Sequence, residues 1–144
     1  MLSRKAQYAF RALTHLVDHY NEGPILISEI SRKKRIPLKF LENILLELKN
    51  GGVLDSKKGK GGGYFVKDDP SKTSVANVIR IVDGPIALLP CVSLNFYERC
   101  KNCDEKNCGL HNIMELVRDA TLGVLEHRTL QDLGSGKEKL AKVK

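Results

Sequence analysis

Apolar residues at Tyr8, Ala9, Ala12, Leu13, Leu16, Val17 and Tyr20 recur at intervals of three and four, which predicts an amphipathic helix over residues 8–20. Gly23-Pro24 ends it. A short second helix is predicted next, with Ser28 as N-cap, Glu29 and Ile30 in its first turn, and the basic run Arg32-Lys33-Lys34-Arg35 along it. Ile36-Pro37 then interrupts the chain, and proline suits the first position of a third helix, whose amide lacks a partner in any case. This helix runs from Pro37 to Asn50, closed by Gly51-Gly52. At about 3.6 residues per turn, Leu38, Phe40, Leu41, Ile44, Leu45 and Leu48 share one half of its cylinder. Lys39, Glu42, Asn43, Leu46, Glu47, Lys49 and Asn50 take the other half, where Leu46 alone breaks the polar character.

Two short helices joined by a tight turn, the second with one buried and one polar face, make a helix-turn-helix pattern. Val53-Leu54-Asp55-Ser56 and Tyr64-Phe65-Val66 follow as two short strands. The segment between them, Lys57-Lys58-Gly59-Lys60-Gly61-Gly62-Gly63, reads as a basic wing: glycines let backbone amides approach a phosphate and lysines supply charge. Nucleotide binding and a purely structural hairpin are the lesser alternatives, because a P-loop ends in Gly-Lys-Ser/Thr before a helix, whereas Gly63-Tyr64-Phe65-Val66 leads into a strand, and three consecutive glycines cost backbone entropy that a simple turn does not require. A further helix is predicted over Ser74 to Val82, with Val75, Val78, Ile79 and Val82 buried and Asp83-Gly84-Pro85 as its stop.

From Leu110, apolar residues recur at Ile113, Met114, Val117, Ala120, Val124 and Leu125, with Glu115, Arg118, Asp119 and Glu126 between them. This is an amphipathic helix of about four turns. A stripe of this length after a complete domain suits a second copy of the chain, with packing on its own core as the alternative. Ile113, Met114, Val117, Ala120 and Val124 are the expected dimer interface. The expected architecture is mainly α with a small β-hairpin. Residues 1–84 form a winged helix-turn-helix DNA-binding domain, 85–109 a cysteine-rich loop, 110–133 a dimerisation helix region, and 134–144 a disordered basic tail.

Composition narrows the function. A chain of 144 residues supports one substantial core, and no apolar run approaches the roughly 18 residues of a membrane span. The formal charge of +7 favours a polyanionic partner. Nothing at the start resembles a secretory leader, so a cytoplasmic protein is expected. All four cysteines, Cys91, Cys100, Cys103 and Cys108, crowd into one segment with His111. In a reducing compartment such a cluster points to metal ligation or redox sensing and not to a disulfide framework. Spacing alone leaves zinc, an iron-sulfur cluster and a metal-free thiol switch open, since Cys100-x2-Cys103 is half of a zinc ribbon with no second pair. A thiol oxidoreductase would place that pair in a βαβ context, which is missing here. A zinc-binding interaction module is a further alternative. His15, His19 and His127 lie on helical stretches away from the thiols, and Glu42, Glu47 and Asp55 form no paired-carboxylate arrangement for hydrolysis.

In this order the parts resemble the IscR/NsrR-type winged-helix regulators, the Rrf-two family. The resemblance rests on Leu2-Ser3-Arg4-Lys5-Ala6-Gln7-Tyr8-Ala9, Ile36-Pro37-Leu38-Lys39-Phe40-Leu41-Glu42, Gly59-Lys60-Gly61-Gly62-Gly63-Tyr64 and Val78-Ile79-Arg80-Ile81-Val82-Asp83-Gly84-Pro85, with the cysteine loop and long helix after them. It implies a homodimeric transcription regulator on double-stranded DNA with a palindromic operator. DNA contacts are expected from Arg4, Ser28, Lys39, Glu42, Asn43, Lys57, Lys58, Gly59, Lys60, Gly61, Gly62 and Tyr64. The resemblance also implies an iron-sulfur cluster on Cys91, Cys108, one of Cys100 and Cys103, and His111 or the remaining thiol, of 2Fe-2S type ahead of 4Fe-4S; zinc or no metal are the alternatives. Cys91 and Cys108-Gly109-Leu110-His111 match the ends of the IscR-like ligand pattern, while the middle is longer and carries an extra cysteine. In the NsrR-like branch a carboxylate near the partner's N-terminus completes the set. Gln7 stands at that position here and is a poor ligand.

Overall fold

The computed structural model describes residues 1–134; apart from Gly134, the tail expected to be disordered lies outside the described residues. α1 spans Arg4–Asp18 and starts earlier than Tyr8 because Ser3 caps it, its Oγ accepting from the Ala6 amide at 3.0 Å. Ala6 then adds a further buried turn to the apolar stripe. The Ser3 amide also donates to Asp83 Oδ2 at 3.1 Å, which ties the start of α1 to the end of a later helix.

α2 spans Ile27–Lys34 with Leu26 as N-cap, and Ser28 lies within its first turn without capping it. The reason is tertiary. Ile25 pairs in strand fashion with Tyr64, its amide 2.8 Å from the Tyr64 carbonyl, so the chain turns into the helix immediately afterwards. Arg35 takes a left-handed backbone conformation (φ 54°) at the end of α2. The Ser31 hydroxyl donates to the Ile36 carbonyl at 2.6 Å and closes the turn. α3, Leu38–Asn50, has Pro37 at its N-cap and not at its first helical position.

β1, Leu54–Lys57, runs antiparallel to β2, Gly63–Val66, with Leu54 opposite Val66 and Lys57 opposite Gly63. α4 spans Val75–Val82, capped by Ser74, and α5 spans Gly109–Leu125. A 3-10 turn at Leu130–Leu133 returns to the first half of the chain, where the Leu130 amide donates to the Thr73 carbonyl at 3.0 Å. Leu130 is fully buried and Leu133 packs beside it, so both belong to the winged-helix core although their sequence position groups them with the long helix. That core joins Ala9, Leu13 and Leu16 of α1, Ile30 of α2, Leu41, Ile44, Leu45 and Leu48 of α3, Leu54 and Val66 of the hairpin, and Val78 and Val82 of α4. Lys5 pairs with Glu47 at 2.7 Å and fixes α3 against α1.

Two core features predict measurable effects. A Cβ on Gly63 would lie 2.2 Å from the Ile25 carbonyl oxygen, at a φ of +145°. Gly63→Ala is therefore expected to lower stability by on the order of 3 kcal/mol, read as a lower urea midpoint. His15 is buried, and its Nε2 has no hydrogen-bond partner among the described residues. Burial lowers its pKa from 6.5, helped by His19, Lys33 and Lys34 and opposed by Glu29. The unfolded chain then binds more protons as pH falls through that ordinary value, so stability present at neutral pH drains away below it. The urea midpoint should drop between pH 7.5 and 5.5, and His15→Leu should flatten that drop.

Candidate DNA-reading face and cysteine site

On α3, Lys39, Glu42 and Asn43 are exposed, while Leu41, Ile44, Leu45 and Leu48 fill the core. Leu38 and Phe40, which the helical wheel assigns to the buried half, are 45% and 59% exposed. The buried arc is narrower than half a cylinder, because the core covers only its centre. Phe40 instead stands 6.4 Å from the Tyr8 ring, over which the Arg11 guanidinium lies at 5.4 Å.

In the wing, Lys57, Lys58, Gly59, Lys60 and Gly61 are exposed. Gly59 and Gly61 have positive φ. Gly62 donates its amide to the Gly59 carbonyl at 3.0 Å, and a Cβ there would lie 2.2 Å from the Lys57 carbonyl oxygen. The hairpin's own backbone thus requires these glycines, beside the phosphate approach expected of them. Tyr64 is half-buried against the core, and its amide donates to the Ile25 carbonyl at 2.9 Å. Arg4 and Ser28 are exposed in the first turns of α1 and α2.

The cysteine loop folds back onto the start of α5. Cys108 is its N-cap, its Sγ accepting from the His111 amide at 3.4 Å, and His111 Nδ1 lies 3.4 Å from Cys91 Sγ. Cys103 lies beside Cys100 and Cys108. Its interaction with Cys100 pushes the Cys103 thiol up to about 12, and the same interaction holds Cys100 below the usual thiol range. Burial, then the Glu105 carboxylate, raises Cys91. Glu105 accepts from the Tyr97 hydroxyl at 2.8 Å and from the Cys100 amide at 3.3 Å. Arg118 Nη1 donates to the Val92 carbonyl at 2.7 Å and pins the turn after Cys91 to α5.

All four thiols are free. Among the described residues, no three His, Cys, Asp or Glu side chains close into a metal cage. The donor set nevertheless fits a soft metal centre: thiols and an imidazole from separate parts of the loop meet at one helix end, linked by direct contacts. Gln7 donates to Leu2 within its own chain at 3.2 Å. The sequence shows no role for Tyr97 or Glu105, and it shows Arg118 only as a charge between the apolar positions of α5, four residues after Met114 and so beside its stripe.

The outer face of α5 is apolar and uncovered in the single chain. Leu110, Ile113, Leu116 and Val117 are 55%, 55%, 70% and 38% exposed. Ala120 is exposed as well, whereas Met114 and Val124 are half-buried. Leu116 was missed, although it stands three residues after Ile113 on the same face.

A helix-turn-helix followed by a basic two-stranded wing defines a winged-helix DNA-binding regulator. Residues 2–136 match the model of the Rrf2 family, described as an iron-dependent transcriptional regulator, and the chain belongs to that family. An rrf2-like HTH-type transcriptional regulator from Rhodobacter capsulatus is 36% identical over 137 residues, covering 92% of this chain and 91% of the relative. The HTH-type transcriptional regulator IscR of Photorhabdus laumondii is 32% identical, covering 96% and 82%. Among solved structures, CymR, the global cysteine regulator of B. subtilis, superposes with a TM-score of 0.78 at 25% identity, covering 96% and 98%. IscR of T. potens shares the fold at a TM-score of 0.73 and 24% identity, covering 92% and 85%. The protein is thus a transcriptional regulator and not an enzyme, which removes the oxidoreductase alternative. No helix among the described residues is long and apolar enough to cross a membrane.

Proposed function

We propose that the protein is a cytoplasmic homodimer that binds palindromic double-stranded DNA and adjusts that binding through an iron-sulfur cluster. One observation carries the reading: the soft donors gather at the N-terminus of α5, the helix whose outer face awaits a partner. Cys91, Cys108, one of Cys100 and Cys103, and His111 or the remaining thiol would hold the cluster, a 2Fe-2S form ahead of 4Fe-4S. When bound, such a cluster supplies a centre sensitive to oxidants and nitric oxide.

The protein's own contacts supply the route from loop to DNA. Arg118 ties the loop to α5, and Glu126 beyond the end of α5 pairs with Arg80 of α4 at 2.5 Å. α4 in turn packs on α3 through the shared core. A rearranged loop would therefore shift the spacing of two α3 helices across a dimer. Residues 1–84, completed by residues 130–133, would be the DNA-binding unit. The neighbouring free thiols of Cys100 and Cys103 support a second reading, a cluster-free repressor with a thiol switch at that pair.

Within the DNA-binding unit, Lys58 and Lys60 would meet phosphates, and Lys39, Glu42 and Asn43 the base edges. Lys58→Ala should weaken binding to all sequences alike and flatten the salt dependence by about one unit of log-log slope. Glu42→Ala should instead change which bases are preferred, because a carboxylate accepts from cytosine N4. Selection from random duplexes and salt titration measure both effects. An unchanged sequence preference in the first test's companion, Glu42→Ala, together with unchanged affinity in Lys58→Ala, contradicts the assignment.

A further inference from the structure

Leu46 is the residue on the outer face of α3 that no role so far explains. It is 49% exposed, on the side opposite Leu41, Ile44, Leu45 and Leu48. Its neighbours on that face, Lys39, Glu42, Asn43 and Asn50, are all polar and exposed. The other exposed apolar residues of the helix have different settings: Phe40 leans toward Tyr8, and Leu38 stands at the first turn. An isolated exposed leucine is unremarkable on most surfaces. At the centre of a face built to touch DNA it selects its contact, because it can neither donate to a phosphate nor pair with a polar base edge.

The spacing fits a base-reading role. Leu46 follows Glu42 by four residues and Asn43 by three, so the three side chains form one ridge. Its rise beyond Asn43 is about 4.5 Å, close to one base-pair step of about 3.4 Å. The major groove offers one apolar feature to such a side chain, the C5-methyl group of thymine. Charge favours DNA as the occupant, since Lys39 shares the face and Lys57, Lys58 and Lys60 stand exposed in the wing.

We propose that Leu46 is a specificity-determining residue that packs its isobutyl group on a thymine methyl in each operator half-site. The proposal rests on the reading of α3 as the major-groove helix. The test begins with duplexes selected by the wild-type full-length protein from a random pool. Each thymine is then replaced in turn by deoxyuridine, which removes only the methyl group.

One thymine per half-site should show about fourfold weaker binding without its methyl, the effect of burying one such group. Leu46→Ala should bind the thymine and deoxyuridine operators equally, and Leu46→Met should restore part of the preference. The exposed position leaves the fold intact, which circular dichroism checks. Wild-type indifference to every thymine methyl, or an undiminished preference in Leu46→Ala, overturns the proposal while leaving DNA binding in place. Failure to select any sequence overturns the major-groove reading and this proposal with it.

Discussion

Val117→Glu is expected to turn the protein into a folded monomer and to weaken binding to a palindromic operator by a hundredfold or more. Val117 lies among Leu110, Ile113, Leu116 and Ala120 on the uncovered face of α5. In a twofold interface each substitution occurs twice, so two unpaired carboxylates would be buried against apolar surface. Removing an uncompensated charge from water costs roughly several kcal/mol, and about 1.4 kcal/mol already corresponds to tenfold in affinity. The single chain tolerates the change, because the side chain remains partly exposed there. Light scattering reads the mass, and circular dichroism verifies the fold. A well-folded dimer of Val117→Glu would place the interface elsewhere.

Cys108→Ser is expected to abolish cluster binding while leaving α5 in place. Serine is a favoured N-cap, so its hydroxyl can accept from the His111 amide as the thiol does. What disappears is a sulfur donor at the start of α5, beside the His111 amide. Cys100→Ser and Cys103→Ser, made singly, should retain iron, since the two adjacent thiols can replace one another. Iron content and visible absorption after anaerobic reconstitution distinguish these outcomes. Equal iron and an identical spectrum in Cys108→Ser would remove that residue from the ligand set.

The longer helices were legible in the sequence because α1, α3, α4 and α5 carry apolar stripes at intervals of three and four, the first three followed by glycine or proline. The stripe of α3 announced Leu41, Ile44, Leu45 and Leu48 but also counted the exposed Leu38 and Phe40, and the lysine-glycine run announced the hairpin. What escaped depends on contacts between distant segments. Ile25 pairs with Tyr64, which displaces the start of α2 and leaves Ser28 without its capping role. Leu130 is drawn into the core beside its backbone bond to Thr73 and that of Val75 to Arg128, a return that no local pattern signals. Phe40 is drawn to the margin of α3 by Tyr8, which a helical wheel drawn for α3 alone does not contain.

In the candidate site, the clustering of cysteines with His111 was visible as composition. The contact of His111 with Cys91 and the clamp by Arg118 required the folded loop. Spacing also left the choice between Cys100 and Cys103 open, and the structure brings the two thiols together without separating their roles.

The most direct test of the central claim is the iron and acid-labile sulfide content of the full chain purified anaerobically, with its visible absorption spectrum. A cluster-bearing protein will be coloured, with stoichiometric iron and sulfide, and will bleach in air. A colourless protein with four free thiols, or with stoichiometric zinc and no sulfide, would contradict the claim.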